Sequence, residues 1–255
     1  MKTVTRIILI WPAAFLLIFS LAACGVKGPV KPPLSRSPSA AKGLATRQIG
    51  DHLQIFWTIP KTNQDGSPLE LQGFEVFRNA FAAGSACPEC GQPGIPYLSV
   101  DLEYLQDVQR SGDRLLVEET SLAPGSGYFY KVVPVDTKGI RGAPATISTL
   151  FHPPPLPPRQ PIVKRETRGI HLNWSPSGNE IAAAGFLGYN IYRREKDEPP
   201  PSAPINEEYL IDTTFLDVQA VPEKAASYLY TLRSVWRMGN QLLESADSPP
   251  ATASE

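Results

Sequence analysis

Residues that do chemistry are scarce in this chain: of 255, only three are cysteine and three histidine. A zinc knuckle needs four ligands, and no second cysteine pair exists to complete one within the chain. Charge is balanced as well, with 24 Lys and Arg against 25 Asp and Glu. Nucleic-acid partners are not expected, because they are held by clustered cations that neutralise phosphate. No Gly-x-Ser-x-Gly or His-Glu-x-x-His motif occurs, and His52, His152 and His171 have no nucleophile beside them in sequence. No catalytic residue is assigned. Asp101, Glu103 and Asp107 lack the spacing of a calcium loop and read as a solvated face. No segment carries a long helical period. The 27 prolines and 19 glycines, with frequent Thr, Tyr and Val, point instead to strands and turns.

The one long apolar run lies between Ile7 and Leu21, after Lys2 and Arg6. Its ~15 residues fall short of the ~20 that a spanning helix needs, and Pro12 interrupts it. A basic start, a short apolar stretch and small residues at Ala22 and Ala23 predict a secretory signal over residues 1–23. The sequence Leu21-Ala22-Ala23-Cys24 resembles the lipobox of bacterial lipoproteins. That resemblance implies cleavage before Cys24, acylation of its sulfur and amine, and a membrane anchor. The covalent lipid on Cys24 is then the one non-protein group expected, with no other cofactor and no metal. Several acyl chains satisfy the rule that stable anchoring takes more than one lipid signal. Gly25 replaces the aspartate that retains enterobacterial lipoproteins in the inner membrane, so the resemblance implies the outer membrane. Without the leader the chain has 22 basic and 25 acidic side chains, a net charge of −3.

Residues 24–42, rich in Pro, Ser, Gly and Lys, read as an extended tether. A second break, His152-Pro-Pro-Pro-Leu-Pro-Pro-Arg-Gln-Pro161, places a semi-rigid linker at residues 151–160. The segments on either side, 43–150 and 161–252, repeat one another. Leu53, Ile55 and Trp57 match Ile170, Leu172 and Trp174. Gly73-Phe-Glu-Val-Phe-Arg78 matches Gly188-Tyr-Asn-Ile-Tyr-Arg193. Tyr128, Tyr130 and Val132 match Tyr228, Tyr230 and Leu232. In each block alternate side chains are large and apolar, so each predicts a strand with one buried face. The spacing from Arg78 to Tyr128 is 50 residues, against 35 from Arg193 to Tyr228. The first copy therefore carries an insertion of 15 residues, in the region of Cys87 and Cys90.

The run from Leu122-Ala-Pro-Gly125 to Tyr128 and Val132 resembles the E–F turn and strand F of fibronectin type III domains. A tyrosine corner caps that turn in the family. The tryptophans and the Gly-aromatic blocks resemble its strands B and C. In the second copy Phe215, Asp217, Pro222 and Tyr228 keep the pattern, whereas the Leu and Gly of the turn are replaced. The resemblance implies an all-β chain of two tandem, immunoglobulin-like, seven-stranded β-sandwiches. A shorter resemblance covers Cys24-Gly-Val-Lys-Gly-Pro29. It is similar to the mature N-terminus of small lipoproteins associated with the lipopolysaccharide translocon.

Cys87-Pro-Glu-Cys90 admits three readings. In an oxidising compartment the pair closes a local disulfide; a metal shared between chains or redox exchange are the alternatives. On the strands containing Phe74 and Tyr130, the side chains of Phe77, Phe129, Val133 and Val135 alternate to the face away from the core. They form a candidate binding patch, unless the insertion with Ile95, Tyr97 and Leu98 folds over it. The expected role is non-catalytic: binding or scaffolding of an envelope protein or glycan by a membrane-anchored lipoprotein. The alternatives are an accessory role in outer-membrane or lipopolysaccharide-translocon assembly, and a redox or metal protein using Cys87 and Cys90.

Overall fold

The computed structural model describes residues 36–90 and 94–253. The leader, Cys24 and the tether up to residue 35 lie outside the described residues. Within them the chain is almost entirely strand and turn, with two short 3-10 helices. No helix there is long and apolar enough to cross a membrane.

The first copy contains β1 (Lys42–Ile49), β2 (His52–Thr58), β3 (Leu71–Ala82), β4 (Leu98–Asp101), β5 (Val108–Ser111), β6 (Arg114–Glu119), β7 (Ser126–Asp136) and β8 (Ala145–Leu150). The second contains β9 (Ile162–Glu166), β10 (Gly169–Asn173), β11 (Phe186–Glu195), β12 (Thr214–Asp217), β13 (Tyr228–Met238) and β14 (Gln241–Glu244). The described strands thus number eight and six, not seven in each copy. In the first, β5 and β6 form an extra hairpin whose turn holds Gly112 at φ 58°. In the second, the connection from β11 to β12 contains Pro199, Pro200, Pro201 and Pro204, which have no N–H to give a ladder.

All the expected apolar stripes are buried. Leu53, Ile55, Trp57, Phe74, Val76, Tyr128, Tyr130 and Val132 make one core. Ile170, Leu172, Trp174, Tyr189, Ile191, Tyr228, Tyr230 and Leu232 make another. Trp57 meets Phe74 edge-on at 5.5 Å, and Trp174 meets Tyr189 in the same way at 5.5 Å. The glycine that opens each Gly-aromatic block has one cause in both copies. A Cβ on Gly73 would lie 1.8 Å from the Val100 carbonyl oxygen, and one on Gly188 would lie 2.6 Å from that of Leu210. The neighbouring backbone passes too close for any side chain, and a register shift marks both places.

Order extends beyond the boundaries expected from sequence. Ala41 packs in the first core, and Pro38 bridges to Asn63. Phe151, at the start of the expected linker, is 1% exposed and belongs to that core too. An aromatic side chain of that size gains more from burial than a linker gains from freedom.

The sheets are shared differently from two beads on a string. A four-stranded sheet, β4-β3-β7-β8, covers the first core, and a three-stranded sheet, β12-β10-β9, covers the second. The third sheet has seven strands, β11-β13-β14-β1-β2-β6-β5, and serves both cores. Its two parts join where β14 pairs in parallel with β1, Gln48 with Leu243 and Ile49 with Glu244.

Candidate functional site

The seam between β1 and β14 is where the chain concentrates its buried polar groups. Glu244 is 5% exposed, yet its carboxylate is fully engaged. Oε1 accepts from Arg47 Nη2 at 2.6 Å and Asn190 Nδ2 at 2.8 Å. Oε2 accepts from the Tyr192 hydroxyl at 2.8 Å and Arg233 Nη1 at 3.1 Å. Arg233 also holds Asp247 at 2.7 Å and lies 4.3 Å above the Tyr192 ring. Arg47 comes from the first copy and the other partners from the second, so one carboxylate ties the two together.

Electrostatics follow from this packing. Burial opposes the charge on Glu244. The nearby Arg47, hydrogen bonds from Tyr192 and Arg47, and Arg233 outweigh it and hold the carboxyl below its ordinary range. Burial and the adjacent Glu244 charge push the Tyr192 phenol up to about 12. Arg233, despite its burial, is raised by Asp247 and its other neighbours, so the ion pair stays charged.

Beside the carboxylate the Gln48 side chain makes two reciprocal bonds with the linker, donating to the His152 carbonyl at 2.7 Å and accepting from its N–H at 3.0 Å. The His152 ring meets Gln241 Oε1 at 3.0 Å. Gln241 Nε2 donates to the Thr149 hydroxyl and, at 3.2 Å, to the Leu150 carbonyl. Thus the first linker residues are bonded into the seam, and the strand hairpin that begins β14 is locked to the end of β8.

The residues singled out in sequence do not converge there. Cys87 and Cys90 form a disulfide with their Cα atoms 5.4 Å apart, in the insertion after β3. Phe77, Phe129 and Val133 are 7%, 5% and 7% exposed and lie outside both core clusters. They are not offered to solvent by the chain. The Lys131 ammonium sits 4.5 Å over the Phe77 ring. Asn79, paired with Phe129 across the ladder, donates to the carbonyls of Pro88 at 3.1 Å and Cys90 at 3.0 Å. The disulfide loop is therefore fastened to the outer face that bears these aromatics. His52 is half-buried and meets Glu118 Oε1 at 3.2 Å, while His171 bonds to the Thr214 hydroxyl at 2.7 Å. Asp101 caps the N–H groups of Glu103 and Tyr104 in a local turn. Among the described residues no cluster of three His, Cys, Asp or Glu could hold a metal.

Sequence reasoning missed the seam altogether. Arg47 and Glu244 are 197 residues apart and neither sits in a motif. The available signal was Glu244 itself, a carboxylate directly after Leu242-Leu243 in a strand, where an unpaired charge would be costly if buried. No protein-family model and no curated protein matches this chain.

Proposed function

We propose that this chain is a non-catalytic envelope lipoprotein, anchored through acylated Cys24 to the outer membrane. Its two fibronectin type III-like sandwiches serve as one stiff arm for protein or glycan binding or scaffolding. The observation that carries the reading is the parallel pairing of β1 with β14, which turns two sandwiches into one body. A stiff body holds the surfaces of its two halves at a fixed distance and angle from each other, as a scaffold requires. The fibronectin type III assignment is supported by the Tyr128 hydroxyl, which accepts from the Ala123 N–H at 2.7 Å in the manner of a tyrosine corner. The order of β4-β3-β7-β8 opposite β1-β2-β6 supports it as well.

Metabolic labelling with an alkyne palmitate in a bacterial host tests the anchor. The wild-type chain is expected to take label and sediment with outer membrane. Cys24→Ala is expected to lose the label and remain as uncleaved precursor. Unlabelled wild-type protein in the soluble fraction would overturn the reading.

A further inference from the structure

Beside the seam lies a crevice of about 980 Å³, at the upper end of the ~300–1,000 Å³ usual for ligand sites. It is lined by both copies: Ile147, Ser148 and Thr149 of β8, parts of β1 and β14, and the segment around Glu207, Glu208 and Tyr209. We infer that this crevice takes an extended, basic peptide segment of a partner protein, which adds to β8 as a further strand.

Two independent observations select that occupant. The first is the free edge. Among the described residues β8 is the outermost strand of its sheet and pairs only with β7. Its end fixes which backbone groups point outward. The Phe151 N–H turns inward to the Ser126 carbonyl at 2.9 Å, while the Leu150 carbonyl turns outward to Gln241. Alternation then directs the N–H and C=O of Ser148 and Thr146 to the same open edge. Both residues are exposed. Such an edge recruits an extended chain by main-chain hydrogen bonds.

The second observation is charge. Glu207 and Glu208 are exposed side by side, and neither carboxylate has an ion pair or hydrogen bond among the described residues. Arg47, the cation lining the crevice, is already committed to Glu244. Tyr209, 41% exposed, adds an aromatic face on which a Lys or Arg can rest. A strand with Lys or Arg at alternate positions meets both demands at once, pairing through its backbone and placing its cations on the carboxylates. An acidic strand meets only the first, and a neutral glycan meets neither.

This narrows the scaffolding role proposed above to one class of partner and rests on that reading for the existence of a partner. The full-length protein in detergent is titrated against fluorescein-labelled peptides, read by polarisation. A peptide alternating Lys and Val is expected to saturate, to weaken with added salt, and to bind at least 10-fold more weakly to the Glu207→Gln/Glu208→Gln variant. The same peptide with N-methyl groups on alternate amides cannot pair and is expected not to bind, which tests the edge without altering the protein. A peptide alternating Glu and Val is expected not to bind. Equal binding of the Glu peptide or of the N-methylated peptide overturns the inference, as does no saturation by the Lys peptide up to millimolar concentration. Saturable binding of chitohexaose in place of the Lys peptide also overturns it, in favour of a glycan. Palmitate labelling of Cys24 is read separately, so the anchor and the crevice can each fail alone.

Discussion

In the first copy Arg78 pairs with Glu119 at 2.7 Å beside Tyr130, and in the second Arg193 pairs with Asp217 at 2.7 Å beside Tyr230. The three positions correspond by register: Arg78 faces Tyr130 and Arg193 faces Tyr230 across their ladders, while Glu119 and Asp217 face the matching residues Leu53 and Ile170. The outcomes differ. Asp217 accepts from the Tyr230 hydroxyl at 2.9 Å, and its other oxygen caps the N–H groups of Gln219 and Ala220 at 3.1 Å each. Glu119 holds Arg78 through Oε2, but its Oε1 and the Tyr130 hydroxyl, buried beside each other, make no well-formed hydrogen bond among the described residues. In both copies burial, followed by the neighbouring carboxylate charge, raises the phenol well above its ordinary pKa. One methylene more in the acid moves its second oxygen off the local backbone. The shared plan is Arg, acid and Tyr; what differs is whether every polar atom placed inside is satisfied, and this decides what each is worth.

The comparison is broken most severely at the acid. Asp217→Ala strands Arg193, Tyr230 and two N–H groups, and is expected to cost about 3–5 kcal/mol in denaturant unfolding. Glu119→Ala strands Arg78 alone and should cost distinctly less. Equal losses would show that the extra bonds of Asp217 contribute nothing.

Next comes the seam that both copies share. The Glu244 carboxyl has a lower pKa folded than its ordinary 4.5. Its contribution is therefore complete above that value and is lost as pH falls through the folded-state value. Glu244→Gln is expected to cost about 2 kcal/mol near neutrality and to remove this acid-dependent step. Small-angle scattering against pH reads it as growth of the maximum dimension in wild type at acid pH, absent as a separate step in the variant.

A smaller effect separates the inner tyrosines. Tyr230→Phe should cost about 1.5 kcal/mol, since it removes a buried bond to a charged acceptor. Tyr130→Phe removes a hydroxyl that makes no well-formed hydrogen bond and is expected to leave the midpoint unchanged or raise it. The smallest contrast lies at the turn before β7 and β13. Tyr128→Phe removes the bond to Ala123 and should cost about 1 kcal/mol, whereas Tyr228, which follows the 3-10 helix Pro222–Ser227, makes no hydroxyl bond among the described residues and should tolerate Phe. Thermal melts of the four Tyr→Phe variants rank these effects.

The strands were legible in sequence because alternation is local. Leu53, Ile55 and Trp57 declare a buried face within five residues, and the repeat in Ile170, Leu172 and Trp174 declares it again. The disulfide was legible for the same reason, with two cysteines three residues apart. The turn at Tyr128 was readable from Leu122 to Gly125, and its loss in the second copy from the replaced Leu and Gly. Whether Phe77 and Phe129 were covered was not readable, because that depends on where Asn79 fastens an irregular loop. The seam was hidden for a different reason. A parallel contact between the first strand and the last leaves no spacing to detect, and the proline run beside it reads as separation although Gln48 and Gln241 bind its first residue.

That seam sets an order of events during synthesis and folding. β1 is among the first strands to be made, yet the strand that completes its edge is almost the last, 197 residues later by the Arg47–Glu244 pair. Until the whole polypeptide has been made, one flank of the nascent first sandwich stays open to strangers, and so distant a contact is slow to close. A chain cut at its prolines would keep that open flank permanently, so a half-length fragment should self-associate more readily than the intact molecule.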